Sequence, residues 1–223
     1  MKVSSLKLFV VAMAAAVTTW AAAQETLNKP VLEKGAVYRY QDVDLLKNEV
    51  TRTVEHTVLF MLGDDSVVLL ESVDGGSPRK RRLDVTNHIF FRPDRKGTWE
   101  AIRFPLSVGD TWQYQYSNPS SERPDLIFAS DIRAKFVGWE EVKVPAGTFR
   151  AAKIEHHGTW TPSSGQRGGR EAYTFWYSPD VKRFVKEVQV AYEPWGSPIY
   201  FFERRLIGYQ PAPSSQAPSE VPR

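Results

Sequence analysis

Apolar and polar residues alternate with a period of two through most of the chain, and few stretches hold the 3.6-residue apolar period of a helix. Residues 37–42 read as a first strand with Tyr38 and Tyr40 on one face. Residues 49–62 form the longest alternating run. Val50, Val54, Val58, Phe60 and Leu62 share one face, and Thr51, Thr53, Glu55 and Thr57 the other. A Gly63-Asp64-Asp65 turn leads into a returning strand at 66–72, so the pair reads as a hairpin, and Asp74-Gly75-Gly76 turns the chain again. Shorter strands are expected at 88–92 and 98–104.

The second half repeats the style. Residues 111–117 place Trp112, Tyr114 and Tyr116 on one face, and 126–137 place Leu126, Phe128, Ile132, Ala134 and Phe136 together. A strand at 140–144 enters the Pro145-Ala146-Gly147 turn, where proline fixes φ and glycine accepts a positive one. Returning strands follow at 149–158, 171–178, 183–192 and 199–209. Gly35 before Tyr38 and Tyr40 echoes Gly109 before Trp112, Tyr114 and Tyr116, a weak two-fold repetition. The expected fold is all-β with few short helices: a strongly curved antiparallel sheet, half-barrel or sandwich-like meander. Residues 24–209 form one β domain. The Pro- and Ser-rich segment 210–223 lacks the apolar bulk to offset its ordering entropy and is expected to be disordered.

The first residues change the compartment. Lys2 and Lys7 precede an apolar run over 8–17, and Ala21-Ala22-Ala23 before Gln24 makes a small-residue cleavage site. This is the pattern of a secretory signal peptide cut between Ala23 and Gln24. The apolar run is shorter than the ~20 residues of a membrane span. The chain of 223 residues holds no cysteine. That removes thiol catalysis, thiolate zinc sites, iron–sulfur clusters and the acylated cysteine of a lipoprotein. A periplasmic or secreted protein without disulfides must rest on packing, and its many Phe, Tyr and Trp residues supply the area. Lys and Arg number 29 against 26 Asp and Glu. Two of the lysines belong to the leader, so the remainder is near neutral and gives no argument for nucleic acid.

Candidate sites are few. Arg52 and His56 fall on the parity of Val54 and Val58, which puts them either in solvent through a bulge or in a ligand cavity. The aromatic stripes of Trp112, Tyr114 and Tyr116, and of Tyr173, Phe175 and Tyr177 beside Trp176, read either as cross-strand core or as a concave platform for a ligand. His156 and His157 face apart on a strand and cannot easily share a metal. Arg79, Lys80, Arg81 and Arg82 form a basic run, either a charged loop or edge strand guarded against aggregation, or a contact for phosphate-bearing lipid. Glu140 and Glu141 face apart. Gly168 and Gly169 lack the Lys-Ser/Thr and the helix of a phosphate loop. There is no G-x-S-x-G nucleophile motif. No catalytic residue, metal or cofactor is expected.

Three segments carry a family resemblance: Pro105, Leu106, Val108, Gly109, Thr111, Trp112; then Val144 to Phe149 with Ala152 and Lys153; then Trp176 to Val181 with Arg183, Phe184, Val185 and Lys186. Together they resemble secreted bacterial proteins of unknown function, the TapB-like family. That resemblance implies the curved sheet of the LolA and LolB lipoprotein carriers and an apolar ligand such as lipid. It transfers no catalytic residue. The helices that close those carriers have no counterpart in the apolar pattern here. The expected function is non-enzymatic binding or carriage of an apolar or amphipathic ligand on a concave sheet. The alternative is an envelope module with a filled core that meets another protein.

Overall fold

The computed structural model describes residues 25–86, 88–120 and 122–213. The expected leader, with Ala23 and Gln24, lies outside the described residues, as does the tail beyond residue 213. No helix occurs among the described residues. A short pair, β1 (Thr26–Leu27) and β8 (Leu106–Ser107), stands apart from one twelve-stranded antiparallel sheet. In the sheet, β2 (Val37–Asp44), β3 (Glu49–Met61), β4 (Ser66–Val73), β5 (Arg79–Asp84) and β6 (Ile89–Phe90) step outward to one edge. From the other edge, β7 (Lys96–Gly97), β9 (Thr111–Pro119), β10 (Ile127–Val144), β11 (Gly147–Pro162), β12 (Gly169–Ser178), β13 (Arg183–Tyr192) and β14 (Pro198–Gln210) step back inward. The meander therefore closes on itself at its middle, where β14 pairs with β2.

Chain length forces this sheet to curl. Flat, its two edges would stand roughly 50 Å apart at the usual strand spacing. Yet edge strands β6 and β7 are joined only by residues 91–95, which reach about 20 Å when fully extended. No ladder joins β6 to β7, so the sheet stays open and residues 91–95 strap the gap. The expected strand at 98–104 is instead an irregular segment running over the concave side. Its Ala101, Ile102 and Phe104 are buried there, as a plug rather than a strand. The basic run 79–82, whose loop and strand readings were both open, is part of β5. The strand expected at 88–92 shrinks to two residues, and those at 126–137 and 140–144 merge into β10 across a bulge at Val137.

Two clusters fill the interior. The first joins the aromatic faces of β9 and β12 to the plug; the second joins Tyr38, Tyr40, Val58, Leu69 and Leu83 of the other half. The single apolar face expected for β3 holds only at Val54 and Val58. Extra residues at Thr51 and Leu59 flip the strand at both ends and turn Val50, Phe60 and Leu62 to solvent. The tail's start also differs from expectation: Gln210 belongs to β14, and Ala212 packs against the second cluster.

The echoed glycines share one geometry. Gly35 and Gly109 adopt φ of +91° and +94°. Each donates its N–H across the sheet, to Val58 O at 2.8 Å and to Phe136 O at 2.9 Å. Those acceptors donate back to the residue after each glycine. Gly168 and Gly169 have a steric role. A Cβ on Gly169 would stand 1.8 Å from Tyr192 O, and one on Gly168 1.8 Å from Trp160 O. Gly169→Ala is expected to destabilise the fold by about 1–3 kcal/mol through this overpacking. The check is a lower urea midpoint at unchanged m-value.

Candidate functional site

Where the two clusters meet beneath the 88–95 crossing, the concave side keeps a cavity of about 190 Å³. Tyr40 and Leu83 reach it from one half, Phe175 and Phe184 from the other, and Trp99 and Ala101 from the plug. A neighbouring hollow of about 260 Å³ shares Phe90, Arg92, Arg95 and Trp99 with it, so the space continues under the strap.

The polar lining holds four guanidinium groups, of Arg92, Arg95, Arg183 and Arg204, beside His88, Lys186, Glu187 and Gln189. Arg204 is tied to Asp42 through Nε to Oδ1 at 2.7 Å and Nη2 to Oδ2 at 2.8 Å. Burial works against the Arg204 charge, but the Asp42 hydrogen bond together with the negative charges of Glu187 and Asp42 more than offsets it and raises the pKa. Arg92 pairs with Asp94. Arg95 lies over Trp99 and donates to Asn118 Oδ1 at 2.9 Å; burial pushes its pKa down. Glu187 also lines the cavity, and burial raises its carboxyl pKa.

Arg183 is the most enclosed of these cations, only 5% exposed. Its guanidinium lies 5.0 Å from the Tyr38 ring centre, 5.7 Å from Tyr40 and 5.9 Å from Phe90. Nη2 donates to His56 Nδ1 at 3.4 Å. Arginine cannot accept a hydrogen bond, so His56 is the acceptor there and its Nε2–H donates to Glu71 Oε2 at 3.3 Å. Arg79 and Arg81 hold the other Glu71 oxygen at 2.7 and 3.0 Å. Burial lowers the His56 pKa to about 4 against the pull of Glu71, and the His56 hydrogen bond leads in holding Glu71 at about 2.

These values set an acid limit. Between pH 6.5 and 4 the unfolded chain takes up a proton on His56 that the folded chain refuses, so stability is full above 6.5 and is lost as pH falls toward 4. His156, held at about 3 chiefly by burial, acts in the same direction. The Tm is expected to fall by several degrees between pH 7 and pH 4.5; a flat Tm over that range would contradict the assignment of both histidines as neutral.

None of the six residues singled out from the sequence lines the cavity. His56 is buried one layer behind it, bonded to Arg183. Arg52 sits beyond the Thr51 bulge, half exposed, and holds Asp42 at 2.5 Å from outside. Trp112, Tyr114 and Tyr116 belong to the filled first cluster, where Tyr114 OH meets His156 Nδ1 at 2.9 Å and Tyr116 OH meets Tyr173 OH at 3.0 Å. Their side of the sheet is packed by the plug and is not an open platform. Trp176 lies on the opposite strand parity, donates to Glu140 Oε1 at 2.5 Å and carries Lys186 over its ring. His156 is buried and His157 exposed. Among the described residues no group of three or more His, Asp or Glu is placed to hold a metal.

Sequence reasoning missed Asp42, Arg183 and Arg204. Asp42 continues the parity of Tyr38 and Tyr40, and Arg183 stands among Val181, Phe184 and Val185. A charge inside an apolar pattern was the available signal in both.

The fold and site define an open, strongly curled antiparallel sheet with a plugged concave side. No family model matches the sequence, and no curated protein matches it. Solved structures do. A candidate lipoprotein from Parabacteroides distasonis superposes with a TM-score of 0.54 at 16% identity, over 84% of this chain and 100% of that one. A candidate exported protein with a YmcC-like fold from Bacteroides fragilis gives 0.54 at 14% identity, over 80% and 97%. The lipoprotein YmcC from Escherichia coli gives 0.45 at 11% identity, over 79% and 85%. The chain thus has a YmcC-like fold; the LolA and LolB likeness implied by the motifs is not established by these structures.

Proposed function

We propose that this chain is a non-enzymatic protein of the bacterial envelope that binds a small amphipathic ligand in the concave cavity. One observation carries the reading: aromatic and aliphatic walls line a space on which five cationic side chains, Arg92, Arg95, Arg183, Lys186 and Arg204, converge against one carboxyl, Glu187. Ligand sites commonly combine mostly apolar lining with a few convergent polar groups. At about 30 Å³ per water-sized group, 190 Å³ holds on the order of six such groups, and the adjoining 260 Å³ hollow about nine more. That suits a head group with a short apolar stem, not a whole lipid carried in a lidded pocket. Support for the envelope comes from the leader-like N-terminus and from similar folds in proteins described as exported or as lipoproteins.

The test is amide NMR during titration with 1-octanol. Saturable shifts are expected at Ala101, Phe175 and Phe184. Shifts that do not saturate, or that spread over the outer face, would count against a cavity ligand.

A second reading is favoured by the end of the sheet near the β13–β14 turn. Trp195 is 75% exposed there, and Leu46, Ile199 and Tyr200 border one shallow hollow. This is the surface an interaction module would offer a protein partner. Trp195→Ser with Tyr200→Ser would abolish partner capture in that case and leave octanol binding intact.

A further inference from the structure

A buried guanidinium normally meets a carboxylate, because the desolvation of an unpaired charge amounts to several kcal/mol. Arg183 departs from this. Among the described residues it forms no ion pair, and its Nε and Nη1 are buried without a hydrogen-bond partner. The faces of Tyr38, Tyr40 and Phe90 supply part of the missing stabilisation. His56, its one hydrogen-bond partner, offers a neutral nitrogen.

The nearby carboxylates are already engaged. Asp42 is committed to Arg204 and Arg52, and Glu71 to His56, Arg79 and Arg81. Glu187, on the same cavity, accepts from Gln189 and forms no ion pair with Arg183, although the Arg204 and Arg183 charges both act on its carboxyl against the rise that burial imposes. Trp99 Nε1, on the same lining, is a further buried donor without a partner.

We propose that Arg183 is the anchor for an oxyanion, the carboxylate or phosphate end of the cavity ligand. This rests on the cavity reading above and deepens it. Nε–H and Nη1–H of Arg183 would donate to the anion, and the apolar stem would lie against Phe175, Phe184 and Trp99. Arginine suits this role because its weakly hydrated, planar donor set matches carboxylate and phosphate oxygens.

Calorimetric titration with octanoate, octyl phosphate, 1-octanol and inorganic phosphate separates the possibilities. The native chain is expected to bind the two charged octyl compounds on the order of ten- to a hundredfold tighter than octanol. Arg183→Met should bring all three octyl compounds to the octanol level with little change in Tm, since the lost hydrogen bond to His56 is offset by removing a buried charge that forms no ion pair. Arg183→Lys should keep part of the preference. Equal affinity for octanol and octanoate in the native chain, or a preference that survives Arg183→Met, would overturn the anion site while leaving the apolar cavity standing. Inorganic phosphate bound as tightly as octyl phosphate would keep the anion site and overturn the amphipathic reading. No binding of any of the four would overturn both.

Discussion

Asp42→Ala is expected to destabilise the protein by about 3–5 kcal/mol, the range for removing one partner of a buried ion pair. The side chain is fully buried, and its carboxylate holds two arginines at once: Arg204 through both oxygens and Arg52 through Oδ2. It also sits where β2 pairs with β14, the junction that joins the chain's two ends in the sheet. Without it, Arg204 stays charged on the cavity wall with no carboxylate bonded to it. For a chain of this size the loss corresponds to a Tm drop on the order of 10 °C. The double change Asp42→Leu with Arg204→Met should recover most of that loss, because an apolar pair of similar volume carries no charge to desolvate. Thermal unfolding of the two variants side by side checks both statements. A single variant within about 1 kcal/mol of the native chain would mean that Arg204 finds water instead.

His156→Ala is expected to cost about 3 kcal/mol, by leaving a cavity in the first cluster and two buried polar groups without partners. The ring is fully buried. Its Nε2–H donates to Ala101 O at 3.1 Å, and Nδ1 accepts from Tyr114 OH at 2.9 Å. This places His156 as a fastener of the plug, helped by Trp112 Nε1–H to Glu100 O at 3.1 Å. The variant should therefore show faster amide exchange across residues 99–104 as well as a lower urea midpoint. Tyr114→Phe, which removes one bond and little volume, should show about a third of the loss. Unchanged exchange over 99–104 would contradict the fastening role.

Much of the fold was legible because antiparallel pairing leaves a local signature. The alternation of Tyr38 with Tyr40 and of Trp112, Tyr114 and Tyr116 marked faces that are buried, and the glycine before each stripe marked a positive φ. What stayed hidden depends on residues far apart in sequence. Arg204 and Asp42 are separated by 162 positions and meet only because β14 returns to β2. Arg183 meets His56 across 127 positions. Bulges were equally invisible: one extra residue at Thr51 and another at Leu59 reversed the faces assigned to Val50 and Phe60. The segment 98–104 carries Trp99, Ile102 and Phe104 at spacings that suit a strand. It became a plug because the open side of a curled sheet needs apolar cover, a demand set by the whole sheet. The candidate site was the least legible part. The aromatic stripes drew attention to the filled cluster, while the cavity is bounded by single residues from strands that no local pattern brings together.

The central claim is that the cavity around Arg183 holds an acidic amphipathic molecule. Native mass spectrometry of the chain purified from its own host, before and after incubation with octyl phosphate, tests it most directly. The account predicts one acidic amphipathic molecule per chain, or one octyl phosphate after incubation, and neither in Arg183→Met. A bare protein mass in both samples, or equal octyl phosphate uptake by the native and Arg183→Met chains, would contradict it.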